Sequence, residues 1–435
     1  MIDFILTQTP LAFFIQSFWR DEAFSYILAS RNIFEIIFYT ARDFNPPLYY
    51  ILLHYWMGIF GTSEIAIRSL SLLFFSLTLY ICFEFLKDIL KLSDKKSLLY
   101  LFIFLINPLL VYFAFEARMY SMFTFFSVLS YYSFYSNKSK LYIISTILGL
   151  YTHYIMVLVV LSQLAFYFVI DRKRQNKTKL KYAYAALFIF IPWVLFVFSQ
   201  GQFFTTSFWI ERMRINTFVN LFAILYLGYE QGSRFFSKEL QFLTLFFASL
   251  FIITILKLKN EMGEKRKLFL FLGIWSIGSS LLIGFISFFK PLFIPRYLIF
   301  SSVGFIFLTI FMLEELPLRI RWIALIILIF FTLNFQKLQI QQKRKSEVRK
   351  TIDEIKLVAK KNDLIYVSDE LDYFTVQYYL GEDRVFIYNK TYDEIPQFVG
   401  KALIPKEKIA SALPSYPQKA FVLSRNGTYV IQSLY

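Results

Sequence analysis

Cysteine is almost absent from this chain of 435 residues: Cys82 stands alone. One thiol makes neither an internal disulfide nor a thiolate metal cluster, and its place within an apolar run marks it as a small core residue. Histidine is nearly as scarce, with His54 and His153 the only two. Glycine and proline number 14 and 12, and neither an internal repeat nor a low-complexity segment occurs. The first 18 residues are apolar, yet they lack a basic stretch at the start and an A-x-A-like cleavage site, so they read as a short first span rather than a cleaved signal peptide. Acidic residues are few as well, 30 against 46 basic ones.

What the chain has in abundance is apolar and aromatic side chain. It is 57% hydrophobic and 21% aromatic, with 55 Phe and 30 Tyr, more than a soluble core needs. A membrane span takes roughly 20 mostly apolar residues, and such runs recur from the first residue to about Phe335. They predict about eleven spans at 1–18, 64–86, 97–116, 119–136, 139–151, 154–170, 182–199, 239–257, 268–289, 297–313 and 320–335, with 217–228 a further partial helix. The chain is expected to be an all-α polytopic protein of the cytoplasmic (plasma) membrane, with membrane lipids among its partners.

The net charge of +16 is not that of a nucleic-acid binder, because the basic residues sit in short blocks between apolar runs rather than along one face or tail. The blocks are Lys87, Lys91, Lys95 and Lys96; Lys138 and Lys140; Arg172 through Lys181; Lys257 through Lys267; and Arg319 with Arg321. Cytoplasmic loops attract such blocks. With the N-terminus inside, every one falls on the cytoplasmic side and the C-terminal region falls outside. Lys343, Arg344, Lys345, Arg349 and Lys350 break this rule and are read as a solvated linker.

The division that follows is a membrane domain at 1–335, a basic linker at 336–350 and a small α/β extracytoplasmic domain at 351–435. In the last, helices are expected at 351–361 and 371–380. Strands are expected at 364–368, 385–388, 402–404, 420–424 and 428–431, the final pair turning through Asn426-Gly427. No glycine-rich phosphate loop and no histidine lies there.

Chemistry is expected in the outward loops. The first, at 19–63, is long and carries juxtamembrane helices. It opens Trp19-Arg20-Asp21-Glu22-Ala23-Phe24, continues through Asp43-Phe44-Asn45-Pro46-Pro47-Leu48-Tyr49-Tyr50, and bears His54 and Trp56. An acidic side chain at mid-bilayer depth costs on the order of 2.5–3.5 kcal/mol, so Asp21 and Glu22 belong at the membrane surface or in a wet cavity. Glu22, Glu116, His54 and His153 are candidate ligands for a divalent metal, although their spacing enforces nothing. Trp209, Glu211, Arg212 and Arg214, in the loop at 200–217, are suited to an acceptor groove or to an interfacial belt.

These first-loop motifs, running on to Phe60-Gly61-Thr62-Ser63-Glu64, resemble the first loop of the superfamily of dolichyl-phosphate-mannose protein mannosyltransferases and aminoarabinose transferases, the GT-C fold glycosyltransferases. The resemblance extends to Glu116-Ala117-Arg118-Met119-Tyr120 and, more weakly, to Thr152-His153-Tyr154 and Pro295-Arg296-Tyr297-Leu298. It implies a GT-C-like catalytic membrane domain in which a sugar on a polyprenyl phosphate passes, with inversion, to an acceptor hydroxyl or amine of a protein, lipid or glycan. Asp21 matches the acidic catalytic position, as general base or as a group orienting the acceptor, with Glu22 supporting it or binding a metal. Arg118 and Arg296 are implied to stabilise the phosphate, and Asp43, Asn45, Tyr120 and Tyr297 to line the substrate site. Asn45 stands where relatives carry His or Lys. Some members use a divalent cation and others do not, so a metal cofactor stays open. The alternative is a transporter or flippase of lipid-linked sugars, but that calls for charges within paired spans, and here the acids concentrate in loops.

Overall fold

The structure is a computed structural model that describes residues 6–171, 177–201, 210, 217, 219–230, 237–259, 263–345, 347–425 and 427–435. Arg172 to Asn176 of one basic block, Asn260 to Met262 of another, Trp209, Glu211, Arg212, Arg214 and Asn426 lie outside these residues. The chain is mostly helical, and among the described residues five helices are long and apolar enough to cross a membrane: Glu64–Asp88, Lys177–Ser199, Lys238–Leu258, Glu264–Ser287 and Leu318–Gln342. Shorter apolar helices, Ser139–Leu150, Met156–Ile170 and Ile299–Glu314, pack among them, and Tyr120–Tyr135 is buried along almost its whole length.

Two expected spans take another form. The run at 97–116 is two helices, Asp94–Leu105 and Pro108–Ala114, set at 71°. Asn107 explains the break: its side chain caps the second helix at Leu110 N (3.2 Å) and donates to Tyr226 O (2.6 Å), while Pro108 has no N–H to continue the first. In the first 18 residues the described part holds helical residues 6–8, a break at Thr9 and Pro10, and the five-residue helix Leu11–Ile15, left in extended backbone at Gln16. Five residues rise about 7.5 Å, far short of the roughly 30 Å hydrocarbon core.

The side of each loop does not depend on that first segment. Helix Glu64–Asp88 carries Arg68 at one end and Lys87 and Asp88 at the other, about 30 Å apart at 1.5 Å per residue. At the Lys87 end the basic blocks gather, with ion pairs Lys96–Glu314, Lys265–Glu315 and Arg321–Glu314, all 2.8 Å. At the Arg68 end lie the first loop and the C-terminal domain. The loop forms helices Arg20–Ala29, Ile33–Thr40 and Leu48–Phe60, the second opened by an Asn32–Glu35 capping box.

The C-terminal domain is a five-stranded sheet in the order β3-β2-β1-β4-β5, formed by β1 (Leu364–Val367), β2 (Val385–Tyr388), β3 (Ile409–Ala410), β4 (Ala420–Leu423) and β5 (Tyr429–Gln432). β1 runs parallel to β2 and β4, β2 runs parallel to β3, and β5 closes antiparallel on β4. Helices Val348–Val358 and Tyr373–Leu380 accompany it. The strand expected at 402–404 is instead a 3-10 turn, Lys401–Leu403, because Gly400 at φ 89° turns the chain just before it.

The linker differs most from expectation. The last membrane helix continues to Gln342, and three of the five basic residues beyond it are ion-paired, Lys343 with Glu230 (3.1 Å), Lys345 with Glu22 (2.7 Å) and Arg349 with Glu64 (2.6 Å), while Arg344 and Lys350 are exposed as a solvated linker requires. Tyr378 and Tyr379 add hydroxyl bonds to Thr62 O and Glu64. The domain is thereby bolted to the first loop.

Because Cys82 is the only native thiol, accessibility labelling tests this arrangement in a Cys82→Ser background. Asp393→Cys is expected to react with an impermeant maleimide on intact cells, and Lys95→Cys only after permeabilisation. Equal labelling of both would place the two ends on one side of the membrane.

Candidate active site

Glu22 organises the site. Arg68 grips it with two bonds of 2.7 Å, Nε to Oε1 and Nη2 to Oε2, and both side chains have no exposed surface. Lys345 Nζ reaches Oε2 at 2.7 Å and Ala117 N donates to Oε1 at 3.0 Å. The remaining N–H groups of Arg68 go to the carbonyls of Phe14, Gln16 and Ser17 at 2.9, 2.6 and 3.2 Å, so all five guanidinium donors are used. Burial alone raises the Glu22 carboxyl, but Arg68 and Lys345 outweigh it and hold it ionised at about 2. This one carboxylate ties together helix Arg20–Ala29, helix Glu64–Asp88, the 116–118 loop and the linker.

Asp21 is the next residue along and points elsewhere, into a cavity of about 70 Å³. Asp43, Asn45, Arg118, Tyr120, Arg296 and Tyr297 line the same cavity, joined by Arg20, Phe24, Phe44 and, from the C-terminal domain, Phe398, Val399 and Gly400. Arg20 donates to Asp21 Oδ1 at 2.8 Å, and Arg296 Nη1 stands 3.7 Å from Oδ2. Arg118 Nη1 lies 3.3 Å from the Asp21 carbonyl, 3.5 Å from Ser25 Oγ and 3.4 Å from the Tyr50 hydroxyl, and its buried Nε has no hydrogen-bond partner among the described residues.

The two cavity carboxylates are tuned apart. Burial raises Asp21, but Arg20, Arg118 and Arg296 overcome it and bring the group to about 2. Asp43 is raised by burial to about 6, only partly offset by Arg118 and by bonds from Phe44 N and Asn45. A cavity with guanidinium groups on several sides is built to receive an anion such as phosphate.

A second cavity of about 310 Å³ adjoins the first through Asp43, Phe44 and Tyr297. It is mostly apolar, walled by Ile155, Val157, Leu158, Val197 and Ile286, with Lys290 and Gln397 also on its surface. His153 lies on it. Its Nδ1 accepts from Ile155 N at 3.1 Å, and burial, with Arg118 nearby, keeps the ring neutral with a pKa of about 3.

The proposed metal quartet is not assembled. No group of three or more metal-ligating side chains occurs among the described residues. Glu22 is fully engaged, His54 Nδ1 is bonded to Ala29 O at 2.8 Å, and His153 is packed between Phe123 and Tyr297. Glu116 is buried beside Lys345 and the Tyr112 hydroxyl but does not line the cavity.

Arg68, Lys345, Tyr50 and the Phe398–Gly400 segment were not singled out from the sequence. Arg68 had a signal: a lone arginine in an apolar span is a functional candidate by default. Lys345 had none beyond its place in an out-of-register basic block, and the Phe398 segment had none.

Comparison with known proteins bears on the fold. A crystal structure of ArnT from Cupriavidus metallidurans in the apo state superposes with a TM-score of 0.66 at 12% identity, covering 97% of this chain and 91% of that one. The chain has the GT-C fold. A second ArnT structure, bound to undecaprenyl phosphate, matches at TM-score 0.62 and 11% identity, covering 97% and 92%. The family model of dolichyl-phosphate-mannose-protein mannosyltransferases matches residues 45–196, which hold Asn45, Arg118 and His153 of the GT-C cavity region. No curated protein matches the chain.

Glu22→Gln is expected to destabilise this GT-C domain by about 3–5 kcal/mol, the usual loss when one partner leaves a buried ion pair, measured by thermal unfolding in detergent. The group's folded pKa lies below its ordinary value, at about 2 against 4.5. Its contribution is therefore complete above about 4.5 and disappears as pH falls toward 2, so the gap between wild type and variant should close in that window. A gap that stays constant with pH would show that Glu22 stabilises by packing alone.

Proposed function

We propose that the chain is a membrane glycosyltransferase that takes its sugar, a hexose or a pentose, from a polyprenyl-phosphate donor and transfers it with inversion on the extracytoplasmic face. The observation that carries this reading is the adjacency of the two cavities: an arginine-lined polar chamber bearing Asp21 lies next to an apolar chamber, with Asp43, Phe44 and Tyr297 on the walls of both. A polyprenyl phosphate has the same two-part chemistry. The ArnT structure containing undecaprenyl phosphate supports the donor class by fold-level likeness.

In this reading the prenyl chain occupies the apolar cavity, and the phosphate meets Arg118 and Arg296. The acceptor atom attacks C1 of the sugar while the C1–O bond to phosphate breaks and its electron pair goes to the phosphate oxygen. The two guanidinium groups offset that developing charge. The proton of the acceptor passes to Asp21 as general base. Asp21 is held by arginines that the phosphate also needs. A bound phosphate competes for those N–H groups and its own charge adds to that of Asp21, so donor binding itself raises the basicity of the carboxylate. Arg118 Nε, buried without a hydrogen-bond partner among the described residues, supplies a donor that need not be taken from Asp21.

Asp21→Asn is expected to lower transfer from a polyprenyl-phosphate sugar in proteoliposomes by 10²-fold or more, with insertion and helix content unchanged. Full turnover in this variant would remove Asp21 from the base role. Asp43 adds a pH test. Its folded pKa of about 6 means that the chamber loses a negative charge as pH falls through 6. Undecaprenyl phosphate affinity should therefore rise between pH 7.5 and 5.5 in wild type by more than it does in Asp43→Asn. The same slope in both would show that Asp43 does not face the phosphate.

A further inference from the structure

Among the described residues, the C-terminal domain lines the polar cavity through one short segment, Phe398, Val399 and Gly400. Residues Gln397–Val399 form a 3-10 turn, and the chain reverses at Gly400, which sits at φ 89°. Gly400 is pressed against the first-loop helix: a methyl group added there would stand 2.5 Å from Phe24 Cε2 and 3.1 Å from Phe374 Cε2. Only glycine meets both demands, a positive φ and an approach this close. Phe24 is three residues after Asp21 on one helix and so shares its face. The turn is thus laid directly beside Asp21, with the Arg20 guanidinium 5.8 Å from the centre of the Phe398 ring.

The two cavities divide their walls unequally. Membrane-domain residues make up the apolar chamber apart from Gln397, whereas Phe398, Val399 and Gly400 form a side of the polar chamber. In the transferase reading the prenyl chain of the donor lies in the apolar chamber, and this turn bounds the polar chamber from the C-terminal domain. The chamber has about 70 Å³ of free space, room for about two water molecules, so an acceptor group entering it packs against Phe398.

Charge narrows the acceptor chemistry. Arg20, Arg118 and Arg296 face Asp21 and Asp43 across the chamber, three cations against two carboxylates. With the single negative charge of the donor's phosphodiester added, the charges balance, and a neutral hydroxyl enters without disturbing that balance.

We propose that the Gln397–Gly400 turn of the C-terminal domain is the acceptor-side wall of the active site, with Phe398 controlling entry of a hydroxyl-bearing acceptor to Asp21. The inference rests on the transferase reading above. Phe398 acts by recognition and exclusion and takes no part in bond making.

The test uses the full-length protein in native membranes with a polyprenyl-phosphate donor labelled in its sugar, and purified protein with undecaprenyl phosphate as the binding probe. Phe398→Ala is expected to cut transfer to the endogenous acceptor at least tenfold and to leave undecaprenyl phosphate affinity within twofold of wild type, with Phe398→Tyr restoring transfer. Parallel loss of donor affinity would assign the turn to the donor site and overturn the proposal, as would transfer equal to wild type. A wild-type protein that binds undecaprenyl phosphate but transfers no sugar would instead sink the transferase reading.

Discussion

A single buried ion pair, Glu22 with Arg68, sets the position of everything that faces the cavity. A carboxylate and a guanidinium stripped of water cost several kcal/mol each unless every lone pair and N–H is answered. Here the answers come from separate parts of the chain: the carbonyls of Phe14, Gln16 and Ser17, the amide of Ala117 and the ammonium of Lys345. None of these segments can drift without leaving a buried charge short of a partner. Asp21 precedes Glu22 in sequence and Arg118 follows Ala117, so the constraint that places the scaffold also places the chemistry.

That neighbourly arrangement gives two adjacent acids opposite tasks. Glu22 is turned inward and saturated, whereas Asp21 is turned toward a cavity and held by groups that a ligand can claim. Helix geometry enforces the split, since successive residues on a helix point about 100° apart. Asp43 adds a third environment, buried with weaker compensation, and its proton is lost about four units higher than that of Asp21. Carboxylates separated in this way serve distinct roles in one site.

Much of this was legible in sequence because membrane solvation leaves strong marks. Apolar runs and basic blocks located most of the helices and separated the two ends, and the motifs of the first and later outward loops named Asp21, Asp43, Asn45, Arg118, Tyr120, Arg296 and Tyr297, which line one cavity. The failures share a physical cause: they turn on where a polar group finds its partner across the fold. Asn107 breaks a helix because Tyr226 O is there to receive its amide, and helix Leu11–Ile15 gives way to extended backbone where Arg68 takes the carbonyls of Phe14, Gln16 and Ser17. Lys345 resembled a solvated linker residue because Glu22 lies 323 positions away in the chain. Strand assignments in the C-terminal domain held where alternation was clear, and failed at 402–404, where Gly400 is spent on an approach to Phe24 that local pattern does not encode.

Function in such a site depends on a competition rather than on a fixed constellation. Arg118 and Arg296 are shared between Asp21 and any anion that enters, and their grip on Asp21 is loose, 3.3 Å to its carbonyl and 3.7 Å to its carboxylate. The Glu22 bonds, by contrast, are short, saturated and fully buried. The difference in bond quality separates what must stay fixed from what must change hands. A tight Asp21–arginine pair would resist the phosphate, and a loose Glu22–Arg68 pair would let the cavity wall wander. Placing the strong pair one residue behind the weak one gives a mobile set of charges on an immobile mount, the condition under which an electrostatic site can exchange partners without losing its shape.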